Sequence, residues 1–189
     1  CFLCYQPLAD APPVTPLPAA NEARITFGSF NNLAKINPGV IALWSRILRE
    51  VAGSRLIIKN HSLTDPATRE RCPAMFAEQG AAAGQVELVG HVATRAAHLA
   101  LYGRIDIALD TFPYNGATTT CEALWMGAPV VTLAGSTHAG RVGASLLTAL
   151  GLNEFIADGP EEYVACALRL AGDRDRLAPL RASLRDRVR

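Results

Sequence analysis

"IDIALDTFPYNGATTTCEALWMGAPVVTL" spans residues 105–133. It opens on an apolar, β-branched run that ends in an acid, Asp110. Asn115-Gly116 is a turn signal. Three threonines, Thr118, Thr119 and Thr120, open a short helical stretch closed by Gly127. "APVVTL" (128–133) is again a strand. Strand, helix and strand in this order predict one parallel pair joined by a crossover helix.

The same alternation continues outward in both directions. Upstream, "RITFGSF" (24–30), "RLIIK" (55–59) and "VELVG" (86–90) read as strands. Helices are predicted between them: one from the Asn37-Pro38 start signal to Gly53, one over 66–79 and one over 95–103. Downstream, 139–150 reads as a helix stopped by Gly151, and 160–171 and 174–187 as two tail helices. This order predicts an α/β fold with a doubly wound parallel sheet. Ligands on such a sheet bind outside the carboxyl ends of the strands. Residues 6–20, "QPLADAPPVTPLPAA", are Pro- and Ala-rich and predict an extended connector. The chain therefore divides into a connector, 1–23, and a lobe with C-terminal helices, 24–189. Residue 1 is Cys, not Met, and the chain is read as a domain cut from something longer.

Bulk properties narrow the function classes. The 189 residues suffice for one domain with a real core. No apolar run is long enough to span a bilayer, and no signal-peptide pattern opens the chain, so no membrane role is expected. The net charge of +1 argues against bulk nucleic-acid binding. The five cysteines are scattered and odd in number, which suits a reducing cytoplasm better than a disulfide framework. Cys1 and Cys4 form one C-x-x-C with no second pair, so no metal site is expected. G-x-x-x-x-G-K-[ST] and G-x-G-x-x-G are both absent. Asp173-Arg174-Asp175 falls between the tail helices and reads as a helix boundary.

The chemistry-bearing residues follow the strands. Thr119-x-x-Glu122 matches a capping box. Three adjacent hydroxyls exceed what a cap needs, and with the free N–H groups of a helix start they would also suit an anion such as a phosphate. Glu122, one turn in, could accept from two adjacent sugar hydroxyls. Lys35 precedes a helix N-terminus, where a cation is misplaced unless an anion joins it. His98 could stack on a base, and the backbone near Ala93 could read its edge. His138 and Arg141 could reach a phosphate. From these residues alone, capping and packing remain as open as ligand binding.

Three long stretches in register, "FGSFNNLAKI", "LDTFPYNGATTTCEALWMGAPVVTLAG" and "RVGASLLTALGL", resemble the C-terminal catalytic lobe of the O-GlcNAc transferase/SPINDLY family. The resemblance covers about residues 24–172. It implies a GT-B fold, of which this chain would be the Rossmann-like, nucleotide-sugar-binding lobe. It also implies inverting, metal-independent transfer of a sugar to Ser/Thr of a protein acceptor. A missing N-terminal catalytic lobe, upstream tetratricopeptide repeats and a cytoplasmic location would go with it, and no cofactor. By this resemblance Lys35 contacts the donor diphosphate and is needed for activity, and Asn32 is a neighbouring donor contact. Ala93 and Arg95 lie beside the base, with His98 stacked on it. Thr118 and Thr119 bind phosphate and Glu122 holds the ribose; Thr120 is counted with them from the run of adjacent hydroxyls, not from the resemblance. The animal enzymes have His at the position of Ala117 and Asp at that of Glu122. Plant SPINDLY proteins, with "TTTTCE" against "ATTTCE" here, are closer. UDP-GlcNAc is the commoner donor, whereas the SPINDLY branch uses GDP-fucose. A GT-B transferase with a non-protein acceptor and a non-enzymatic nucleotide-binding module are the alternatives.

Overall fold

A computed structural model describes residues 3–188. Six strands form one parallel sheet: β1 (Thr26–Ser29), β2 (Arg55–Lys59), β3 (Val86–Val89), β4 (Ile107–Leu109), β5 (Val130–Leu133) and β6 (Ile156–Ala157). Their spatial order is β3-β2-β1-β4-β5-β6. The order reverses between β1 and β4, so the loops leaving these two strands run to opposite sides and leave a crevice at the carboxyl edge. Among the described residues seven α-helices cover the faces: α1 (Pro38–Glu50), α2 (Pro66–Glu78), α3 (Arg95–Ala100), α4 (Thr118–Trp125), α5 (Val142–Ala149), α6 (Pro160–Gly172) and α7 (Arg174–Val188). None of the described helices is long and apolar enough to cross a membrane.

Local chemistry accounts for these limits. The Asn37 side chain accepts from Val40 N–H at 3.1 Å, and Pro38 takes the first helical position. That satisfies one orphan donor and removes another. Helix α1 then buries Val40, Ile41, Trp44, Ile47 and Leu48 on one face. Gly53 turns the chain at φ 71°, a left-handed conformation that favours glycine. Helix α5 starts at Val142, three residues later than expected. The residues before it close a tight turn, with Gly135 N–H bonded to Gly140 O at 2.7 Å, and Ala139 O accepts from Asn115 N–H. The Gly143 N–H that would close a helical turn on Ala139 O instead donates to Asn115 Oδ1 at 3.3 Å. Helix α3 likewise ends at Ala100 and tightens into a 3₁₀ turn over Leu101–Arg104. Strand β6 has only two residues and was too short to carry a strand pattern. Asp173 stands at the α6–α7 junction and accepts from Arg176 N–H at 3.0 Å, as a helix boundary should.

The core is tied to the sheet edge by one polar chain. Trp44 Nε1 donates to Tyr163 OH at 3.0 Å, and Tyr163 OH donates to the Asp110 carbonyl at 2.8 Å. All of these groups are buried, so each needs the next. The segment before β1 is not a loose tether. It makes one 3₁₀ turn, Pro18–Ala20, and lies along α7. Buried Arg181 donates to Thr15 O, Ile105 O and Tyr102 O at 2.8, 2.9 and 3.1 Å. Cys4 is exposed and free, and Cys1 lies outside the described residues.

Candidate functional site

Asp110, at the end of β4, organises the crevice. Its Oδ1 accepts from Gly116 N–H at 2.7 Å and Thr111 N–H at 2.9 Å. Its Oδ2 accepts from Thr132 Oγ1 at 2.8 Å, tying in β5. Asn31 Nδ2, following β1, lies 3.4 Å from Oδ1. The carboxylate is buried, and burial pushes its pKa up to about 6 against the pull of these donors. It thereby folds residues 111–116 into a fixed loop. Thr111 Oγ1 donates to Tyr114 O at 2.7 Å, and Asn37 Nδ2 to Phe112 O at 2.6 Å. The Phe112–Pro113 bond is cis.

The loop delivers α4 with its first turn open. No side chain caps the helix at Ala117, and the first helical bond runs from Cys121 N–H to Ala117 O. The backbone N–H groups of Thr118, Thr119 and Thr120 therefore have no partner among the described residues. The expected capping box does not form. Thr119 Oγ1 instead donates to Asn31 Oδ1 at 2.9 Å. Glu122 Oε2 lies 3.0 Å from His98 Nε2 and accepts from Tyr102 OH at 3.4 Å. Each side chain is taken up by a tertiary partner. The three threonines also differ: Thr118 is exposed, Thr119 half-buried and Thr120 buried.

Lys35 reaches the same loop from the other side. It ends the 3₁₀ turn Leu33–Lys35, and its Nζ donates to Asn115 O at 2.9 Å. The ammonium lies 3.9 Å from the Tyr114 ring centroid. Burial lowers its pKa, and nearby Asp110 opposes that. The loop thus brings one cation and one open helix N-terminus to the same edge, both suited to an anion. A cavity of about 340 Å³ opens beside Lys35, lined by Asn32, Asn37, Phe112 and Tyr114 among others.

The remaining expected residues fall in two groups. Half-buried His98 joins buried Glu122 and Tyr102, with Phe30 packed on Tyr102 at 4.4 Å between centroids. His98 Nδ1 is buried without a partner. Ala93 and Arg95 stand exposed at the start of α3. Asn32 is exposed and caps the 3₁₀ turn by accepting from Ala34 N–H at 3.0 Å. Arg141 donates to Gly135 O at 3.1 Å and stays exposed, on the turn before α5. Asn31, Tyr102, Tyr114 and the ordering role of Asp110 were missed. A signal existed for Asp110, an acid closing an apolar run, and for Tyr102, four residues after His98 on one helical face.

Gly116 shows how tight the arrangement is. A Cβ there would lie 2.5 Å from Thr119 Oγ1, 2.7 Å from Thr120 Oγ1 and 2.8 Å from Asn31 Oδ1. Gly116→Ala should displace the loop and cost about 1–3 kcal/mol, the usual scale of overpacking. Thermal unfolding checks this; an unchanged midpoint would mean that the loop yields freely.

The model of glycosyl transferase family 41 matches residues 17–189. A protein of Arabidopsis thaliana named "Probable UDP-N-acetylglucosamine--peptide N-acetylglucosaminyltransferase SPINDLY" is 47% identical over 98% of this chain and 20% of its own length. Its namesake in Hordeum vulgare is 48% identical over the same shares. The chain thus spans about a fifth of the length of these curated relatives. Among solved structures, a mutant O-GlcNAc transferase of Thermobaculum terrenum superposes with a TM-score of 0.90 at 42% identity. That match covers 96% of this chain and 34% of the other. The sheet and its flanking helices are those of a Rossmann-like lobe of a GT-B glycosyltransferase.

Proposed function

Because the chain belongs to glycosyl transferase family 41, we propose that it is the donor-binding lobe of an inverting, metal-independent protein O-glycosyltransferase that takes UDP-GlcNAc. One observation carries this reading. Lys35 Nζ is held on Asn115 O, next to the loop that leads into the unpartnered N–H groups of Thr118–Thr120. A diphosphate would there meet a cation and a helix end together. Asn32 and Thr119 line its approach. Glu122 accepts from the ribose hydroxyls, and His98, with Ala93 and Arg95 beside it, receives the base.

In the reaction an acceptor Ser/Thr hydroxyl forms a bond to the anomeric carbon from the face opposite the diphosphate. The bond to the diphosphate oxygen breaks, and the nucleoside diphosphate leaves with the electron pair. Lys35 and the open turn of α4 stabilise that charge in place of a metal ion. The hydroxyl proton goes to a base supplied by the N-terminal catalytic lobe, and upstream repeats hold the protein acceptor.

GDP-fucose is the second reading, favoured by the likeness of "ATTTCE" (117–122) to the SPINDLY pattern. Offering UDP-GlcNAc and GDP-fucose separately to the full-length protein with a cell extract separates the two. Intact-mass analysis of the modified acceptors should show N-acetylhexosamine. Deoxyhexose would move the protein to the fucose branch, and neither mass would remove the transferase reading.

A further inference from the structure

Tyr114 is the one large apolar side chain among the described residues that stands out in solvent, with 56% of its surface exposed. Its ring nevertheless has a partner, the Lys35 ammonium 3.9 Å from the centroid. The neighbouring carbonyl, Asn115 O, accepts from the same ammonium at 2.9 Å. Two consecutive residues therefore grip one cation, one by a π face and one by a lone pair. The loop that carries both is itself fixed. Thr111 Oγ1 donates to Tyr114 O at 2.7 Å, and Asn115 Nδ2 donates to Thr111 O at 2.8 Å.

The chemistry of this grip is specific. A carbonyl and an aromatic ring are neutral, so they orient the ammonium without cancelling its charge. A carboxylate in either place would neutralise it. An ammonium has three N–H donors, and the Asn115 carbonyl takes one. A free lysine side chain also loses considerable rotamer freedom when a ligand fixes it. Here that ordering precedes the ligand.

We propose that Tyr114 is a positioning residue for sugar transfer, whose ring face holds the Lys35 ammonium aimed into the adjoining cavity before the donor binds. This rests on the diphosphate-binding role of Lys35 given above. The phenolic hydroxyl makes no hydrogen bond to another described residue, and the role proposed is that of the ring face.

The test is a double-mutant cycle in the full-length protein, with UDP and GDP as the calorimetric probes and kcat measured alongside. Tyr114→Phe should keep affinity and kcat within about twofold, because the π face remains. Tyr114→Leu should weaken binding of the preferred nucleotide about fivefold and lower kcat by about tenfold. In a Lys35→Ala background, Tyr114→Leu should change the affinity no further. An equal loss in that background would overturn the proposal, since the ring would then act without the lysine. So would Phe behaving like Leu, or Leu behaving like the wild type. Nucleotide binding that depends on Lys35 but not on Tyr114 sinks this proposal alone. Failure of the wild type to bind either nucleotide sinks the donor-site reading with it.

Discussion

Lys35→Ala in the full-length protein should reduce transfer by at least about a hundredfold, the usual cost of one electrostatic contact made at the departing group. The lobe should stay folded. Lys35 is half-buried, and among the described residues its ammonium meets the Asn115 carbonyl and the Tyr114 ring, neither of which is part of the hydrophobic core. Circular dichroism and the thermal midpoint should therefore match the wild type while turnover is lost. Lys35→Arg should restore little, because a planar guanidinium does not replace a point charge gripped on two sides. The charged form is the useful one, and burial lowers the Lys35 pKa. Activity should accordingly fall with rising pH below the ordinary lysine range. Turnover like the wild type from Lys35→Ala would refute the role.

Asp110→Ala should be the most damaging change to the fold of the site. It leaves Gly116 N–H, Thr111 N–H and Thr132 Oγ1 without their acceptor in a buried place. Unsatisfied buried donors cost about 1–3 kcal/mol each and do not add fully, so a loss of about 4 kcal/mol is expected. That is a large share of a domain's stability. Asp110→Asn should lose far less, since one amide oxygen can accept from both N–H groups. The pair also reports on pH. Burial raises the Asp110 pKa to about 6, above its unfolded value of 3.8. Its linked stabilisation is then present below the unfolded value and is lost as pH rises through about 6. Urea unfolding of the 189-residue chain at pH 5 and pH 7 should show a decline in the wild type that Asp110→Asn lacks. Equal declines would place the titration elsewhere.

What the sequence made legible was local. Arg55–Lys59 is a β-branched run with clear ends, and β2 occupies those residues. Asn37-Pro38 starts α1 because cap and first residue act within one turn. The alternation of strands and helices led to the parallel sheet, since crossovers of that length admit few other topologies. The partners within the site were not legible, because they are far apart in the chain. Thr119 bonds Asn31 across 88 positions, and Lys35 bonds Asn115 across 80. The Thr119-x-x-Glu122 spacing was correct for a cap, but both side chains are drawn off by β1 and α3 neighbours that no local window contains. The late start of α5 has the same origin, in a Gly143 N–H taken by the Asn115 side chain.

The most direct test of the donor site is a calorimetric titration of the full-length protein with UDP and with GDP, repeated on Lys35→Ala. One nucleoside diphosphate should bind, and its affinity should fall at least about tenfold without Lys35. No binding of either nucleotide, or the same affinity with and without the lysine, would contradict it.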